Sequence, residues 1–178
     1  ATLTATGNTK VQIGFEPLVE GFVRVPYNDV PAVRDAIAAH SNIVSILVEP
    51  VQGEGGVRVP AANYLNELRA LADQHELLLM LDEIQTGNGR TGTYFAYQHN
   101  GLLPDVVTTA KGLGNGMPIG ACLARGKAAE VLQAGNHGTT FGGNPLACSA
   151  GIAVVETLQS SGLIDRAKAL GEKLLADF

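Results

Sequence analysis

Residues 75–87 read HELLLMLDEIQTG. Five consecutive apolar residues, Leu77 to Leu81, read as a strand buried on both faces, running from Leu77 to about Ile84. Asp82 and Glu83 then stand where that strand should be emerging. An isolated carboxylate is costly to bury, so it is neutralised, paired or solvated. The stretch therefore asks what cation waits at the strand's end.

Working outward, the residues before it, Asn63 to Glu76, place Tyr64, Leu65, Leu68, Leu71 and Ala72 at helical spacing and predict an amphipathic helix. Upstream, IVSILVEPVQGEGG (43–56) predicts a buried strand from Ile43 to about Glu49, broken by Pro50 and the glycines Gly53, Gly55 and Gly56. NDVPAVRDAIAAH (28–40) predicts a helix with Asn28 or Asp29 as cap and Pro31 in its first turn. A short strand is expected around Phe22, Val23 and Val25, ending at Pro26. Downstream of the glycine-rich TGNGRTG, short strands are expected at Val106–Thr109 and Ile119–Ala124. KAAEVLQAG (127–135) reads as a helix, Pro145–Leu158 as a packed helix, and LIDRAKALGEKLLADF (163–178) as a final amphipathic helix. Strands alternating with helices, with near-continuous apolar strands, indicate an α/β fold with a mainly parallel sheet. Ligands in such sheets bind at the carboxyl ends of the strands, where Glu49, Asp82 and Lys111 all stand.

The 178 residues fit a single domain with a substantial core. Apolar residues make up 46% and charged residues 16%, an ordinary globular balance. A net charge of -5 with no lysine or arginine cluster argues against nucleic acid or an anionic membrane as partner. No apolar run approaches the roughly 20 residues that span a bilayer. Cys122 and Cys148 sit among small apolar residues and read as two buried, reduced thiols of a cytoplasmic protein. The opening ATLTATGNTK has no initiator methionine and no signal-peptide pattern, and the expectation is a piece of something larger.

Several familiar chemistries fail on spacing. KGLGNGMPIG (111–120) brings its third glycine, Gly116, one residue early for a dinucleotide fingerprint, and Pro118 with an apparent strand follows where a helix should begin. Gly126-Lys127 is followed by Ala128 and has no earlier partner glycine, so it is no P-loop. His40, His75, His99 and His137 are scattered, without the paired spacing of a zinc site, and no metal is expected. Ser149 follows Ala147 rather than a glycine, so no nucleophile elbow is present.

Four phrases in a fixed order are more specific: VEPVQGEGGV (48–57), LDEIQTGNGRTG (81–92), PDVVTTAKGLGNGMPIGA (104–121) and GTTFGGNPLAC (138–148). With them the chain resembles the class III pyridoxal-phosphate aminotransferases, nearest the branch that acts on N-acetylornithine, over nearly its whole length. The resemblance implies the three-layer large domain of the fold type I enzymes. It also supplies Asp82 with its cation, the protonated ring nitrogen of pyridoxal 5'-phosphate. That ring withdraws electrons from a bond at the substrate carbon, and a fixed carboxylate keeps its nitrogen protonated. Taken alone, Asp82 reads equally as a cap or loop acid.

Lys111 matches the family's Schiff-base lysine, which bonds to the cofactor aldehyde, gives way to the substrate amine and then carries a proton. Without the phrase around it, it would read as a solvated lysine after a strand. Gln85 is implied near the ring's phenolic oxygen, and Ile84 against a ring face; their alternatives are a loop amide and a core side chain. Thr140 resembles the threonine that binds the cofactor phosphate across a homodimer interface, beside Gly142 and Gly143. Thr139 stands at a substrate contact, or simply orders its loop. Glu54 matches a glutamate that pairs with a substrate-binding arginine, so that an ω-amine and 2-oxoglutarate can share one site.

The resemblance puts a phosphate-holding loop, a stacking aromatic and a substrate arginine before residue 1, and a small domain with a second arginine after Phe178. Residues 1–178 thus read as a partial cofactor domain. The implied reaction moves the δ-amino group of N-acetylornithine to 2-oxoglutarate, in arginine synthesis. Ornithine, 4-aminobutyrate, succinylornithine and succinyl-diaminopimelate are alternative donors. A segment that packs without binding cofactor is the alternative outside catalysis.

Overall fold

The computed structural model describes residues 2–178, and the chain divides after Ile43 into two compact units. The first contains a short helix α1 (Thr2–Ala5), a single 3-10 turn (Thr9–Val11) and helix α2 (Val30–Ala39). Asp29 caps α2 by accepting the Ala32 N–H at 2.9 Å, Pro31 occupies the first turn, and Val30 and Val33 form the buried face. The strand expected around Phe22–Val25 does not form, and all three of its apolar residues are exposed. Alternation alone gives a strand nothing to pair with. Arg24 instead donates to the carbonyls of Thr4 and Thr6, and the buried Gln12 amide to those of Leu3 and Thr6.

The second unit is built on β1 (Ser45–Val48), α3 (Tyr64–Gln74), β2 (Leu78–Asp82), β3 (Val106–Thr109), β4 (Ala121–Ala124), α4 (Pro145–Ser160) and α5 (Leu163–Asp177). The four strands lie in the order β1-β2-β3-β4. The first three are parallel and β4 runs antiparallel to β3. This is the mainly parallel α/β sheet expected from the sequence.

Register separates the two faces of the sheet. Ile46, Val48, Leu79, Leu81, Val107 and Thr109 share one face. α3 packs against β1 and β2, and its Leu68, Leu71 and Ala72 are buried together with Leu79 and Leu81. Burial of each such leucine contributes about 1.5–3 kcal/mol. Leu47, Met80, Asp82, Thr108 and Cys122 share the other face. Here Leu47 is 48% exposed and Cys122 is exposed. β2 is therefore fully covered on one face only, and the expected double burial of Leu77–Leu81 gives way to strict alternation of buried and half-buried residues.

Two further expectations change. Residues 127–135 make only a 3-10 turn (Gly126–Glu130), and Val131 and Leu132 are exposed with nothing to pack on. The thiols are free but not buried: Cys122 lies on the uncovered sheet face and Cys148 is half-buried in α4. α4 forms over its expected span, capped by Asn144 accepting the Ala147 N–H at 2.9 Å. It buries only Ala147 and Gly151, however, and leaves Leu146 and Ile152 exposed. Among the described residues no single helix is long and apolar enough to cross a membrane.

Candidate active site

Adjacent parallel strands bring two of the expected groups to one place. Asp82 ends β2 and pairs in register with Thr108 of β3, and Lys111 follows that strand two residues after its end. Asp82 is half-buried, and its Oδ1 accepts the Ile84 N–H at 3.0 Å, which fixes the carboxylate on the chain turn behind it. Among the described residues no lysine or arginine pairs with Asp82, and the exposed Lys111 ammonium has neither hydrogen bond nor ion pair. One carboxylate and one amine are thus left open at neighbouring strand ends. That is the donor set a group with a protonated ring nitrogen and an aldehyde requires.

Glu83, the other acid of the opening stretch, is answered differently. It is 0% exposed and among the described residues meets no cation. Its Oε2 accepts the Ala96 N–H and its Oε1 the Tyr97 N–H, each at 2.9 Å, and the Thr86 hydroxyl donates to Oε2 as well. A carboxylate on the unpaired N–H groups at a helix start satisfies both partners. The helix is the short 3-10 segment Ala96–Asn100. Glu83 therefore has a structural role, anchoring the chain just beyond Asp82. Sequence reasoning missed it although the signal was there: with a two-residue period, Glu83 falls on the same face as Leu79 and Leu81.

Gln85 lies against the loop after β1. A side chain on Gly53 would come within 2.6 Å of the Gln85 Cγ, so only glycine allows this approach. Glu49, at the end of β1, accepts the Gly53 N–H at 3.1 Å, and an antiparallel bridge between Gln52 and Arg58 closes the loop. Glu54, at the loop's tip, is exposed and unpaired among the described residues. Ile84 is half-buried beside Asp82.

Thr139 and Thr140 are exposed in the loop before α4. Thr139 Oγ1 accepts the Gly142 N–H at 3.3 Å, the loop-ordering role foreseen as its alternative. The next residues, Phe141–Asn144, line a shallow cleft with Pro118–Gly120, the segment that leads from Lys111 into β4. No hydrogen bond joins either threonine to Asp82, Gln85 or Lys111. The structure thus sets Gln85 against the Glu54 loop and Asp82 and Lys111 beyond the ends of neighbouring strands, and leaves Thr139 and Thr140 on a separate loop.

Asn88 was also not foreseen. Its Nδ2 donates to Thr109 Oγ1 at 2.9 Å and to the Ala110 carbonyl at 3.2 Å, the two residues before Lys111. The Tyr94 hydroxyl donates to Asn88 Oδ1 at 3.4 Å, and burial pushes the Tyr94 phenol up, so it stays a donor at neutral pH. The GNG phrase hints at a left-handed turn, and Asn88 does take φ 58°. Which groups its amide meets is a tertiary fact.

Three comparisons bear on the assignment. A model of the class-III aminotransferase family matches residues 1–178. The acetylornithine aminotransferase of Nitrosomonas europaea is 58% identical over 178 residues, covering 100% of this chain and 45% of that protein. That of Myxococcus xanthus is 52% identical over 176 residues, covering 99% and 43%. Among solved structures, the ornithine aminotransferase of Toxoplasma gondii superposes with a TM-score of 0.91 at 39% identity, over 96% of this chain and 41% of its own. The acetylornithine aminotransferase of Elizabethkingia anophelis gives 0.82 at 41% identity, over 89% and 40%. The chain spans less than half the length of these relatives. A family match from end to end, at this identity to individual members, makes the assignment plain: the chain belongs to the class-III aminotransferases.

Proposed function

We propose that this chain is the central part of the cofactor domain of a pyridoxal 5'-phosphate-dependent enzyme that moves the δ-amino group of N-acetylornithine to 2-oxoglutarate. The observation that carries the reading is the open pair at the strand ends, with Asp82 closing one strand, Lys111 just beyond the adjacent parallel one, and no ionic partner for either among the described residues. The acetylornithine relatives support the choice of donor, and a solved Toxoplasma ornithine aminotransferase described with pyridoxal phosphate at its active site supports the cofactor.

The bound cofactor supplies an electron-withdrawing ring beside the substrate carbon that loses its proton. Asp82 would hold the proton on the ring nitrogen. Lys111 would hold the cofactor at its aldehyde carbon and, once free, would carry the proton at the substrate carbon as general base and acid. Ile84 would pack on the ring and Gln85 would donate near its phenolic oxygen. Glu54 pairs with a substrate-binding arginine outside this chain, and Thr139 touches substrate. Thr140 would bind the phosphate of the cofactor held in a partner subunit's site, so the competent protein is a homodimer, in the cytoplasm in this reading.

The test is glutamate formation from N-acetylornithine and 2-oxoglutarate by the full-length protein. Lys111→Ala should lose turnover by several orders of magnitude while the fold persists. Full turnover in that variant, or preference for ornithine or 4-aminobutyrate as donor, contradicts the reading in its lysine or its substrate respectively.

A further inference from the structure

The chain between the end of β3 and Lys111 turns sharply. Thr109 is the last residue of β3 and is 4% exposed, so its hydroxyl cannot be satisfied by water. Ala110 leaves the sheet at φ -161° and ψ -142°, and Lys111 opens the short 3-10 turn Lys111–Leu113 at φ 45°. That value is left-handed and unfavourable for a side chain like lysine, so surrounding contacts must hold it.

Asn88 supplies them. One amide hydrogen serves Thr109 Oγ1 and the other serves the Ala110 carbonyl. The Leu113 N–H donates to that same carbonyl at 2.9 Å, so the peptide entering Lys111 is held from two sides. The orientation of the Asn88 amide is not arbitrary. A carbonyl only accepts and a phenol at neutral pH donates, so Nδ2 must face Ala110 and Oδ1 must face Tyr94. On the far side of Lys111, a side chain on Gly112 would lie 3.3 Å from the Asn88 Cβ. Asn88 therefore brackets Lys111 along the chain, bonded to the two residues before it and packed against the one after. It has left-handed φ itself, which asparagine tolerates better than most residues.

We propose that Asn88 is a positioning residue for Lys111. By pinning the Ala110 carbonyl it fixes the direction from which the Lys111 amine reaches the reacting carbon. The inference rests on Lys111 being the amine that bonds to the cofactor.

The experiment uses the full-length protein with Asn88→Gly, which keeps the left-handed backbone and removes the amide, and Asn88→Asp, which keeps size and replaces both donors by acceptors. A misplacement of about 1 Å costs on the order of 100-fold in rate, so kcat should fall about tenfold or more in both variants with KM changed far less. In the cofactor-free protein, exchange of the Leu113 amide hydrogen should accelerate in Asn88→Gly. In Asn88→Asp the pH midpoint of the visible absorbance of the lysine–cofactor bond should move upward, because a nearby carboxylate favours the protonated form.

Borohydride trapping with peptide mapping separates the two claims. If wild type is not labelled at Lys111, the assignment of the lysine itself is wrong. If Lys111 is labelled throughout, while both variants keep wild-type kcat and absorbance midpoint, the positioning role is overturned. A lowered unfolding midpoint with unchanged kcat overturns it equally, since it shows a purely structural asparagine.

Discussion

Asp82 and Glu83 are neighbours of the same charge, yet strand alternation gives them opposite employment. Asp82 points to the uncovered face beside Thr108, and Glu83 to the buried face in line with Leu79 and Leu81. Substitution should separate the two roles. Glu83→Gln removes acceptor capacity from three donors and turns an N–H₂ group toward them; stability should drop by about 1–3 kcal/mol, read from urea unfolding midpoints. Asp82→Asn should leave the unfolding midpoint nearly unchanged and impair cofactor-dependent turnover severely. An Asp82→Asn variant that unfolds early but turns over normally contradicts this division. The sequence made Asp82 and Lys111 legible because the chemistry of a strand-end carboxylate and amine sits inside distinctive phrases. Asn88 was not legible, since its partners lie 21 and 22 residues away and are set by the fold of two loops.

The elements legible in sequence are those whose apolar spacing found a surface to meet. α3 and β2 bury each other's leucines, and both appear within two residues of expectation at every end. The strand expected at Phe22–Val25 and the helix expected over 127–135 have apolar residues but no surface against which to bury them. The glycine loop after β2 shows what glycine was needed for. A side chain on Gly92 would fall 2.8 Å from the Lys168 Cβ and 3.1 Å from its Cα, and one on Gly89 2.9 Å from Ile164 Cγ1. These glycines seat α5 at positions one turn apart. Gly92, at φ 86°, pays for an alanine twice, in backbone strain and in displacement of the helix. Gly92→Ala should therefore speed amide exchange along Leu163–Asp177 while leaving α3 protected; uniform exchange in both helices would contradict the seating.

α3 is also tied to the strand pair by charge. Asp105 accepts from Arg69 Nη1 at 2.7 Å and from the Leu79 N–H at 2.8 Å. Burial alone would raise the Asp105 carboxyl, but these bonds and the charges of Arg69 and Arg125 outweigh it and hold it below the usual carboxylate range. With the folded value depressed, the contribution is complete above the unfolded value near ~3.9 and is lost as pH falls through the folded value. The stability gap between wild type and Asp105→Asn should be constant from pH 7 to 5 and shrink below about pH 4. A gap that persists undiminished at pH 2 would contradict the ion pair as its source.

At the scale of the whole molecule, the chain carries the lysine and the strand-end acid but spans 41–45% of its curated relatives. The loop of Thr140 is exposed, and so are Leu47 and Cys122 on the uncovered sheet face. The proposed dimer makes a definite prediction for mixed subunits. Full-length Lys111→Ala and Thr140→Ala proteins, each impaired alone, should regain activity when refolded together, because one of the two sites then holds both intact residues. No recovery would mean that Thr140 serves its own subunit's site or none.

Lys111 is proposed as the amine that holds the cofactor. The most direct test is borohydride reduction of the full-length protein loaded with pyridoxal 5'-phosphate, followed by peptide mapping. One labelled peptide is expected, spanning the 104–121 phrase and modified at Lys111. Label on another lysine, or spread across several, contradicts it.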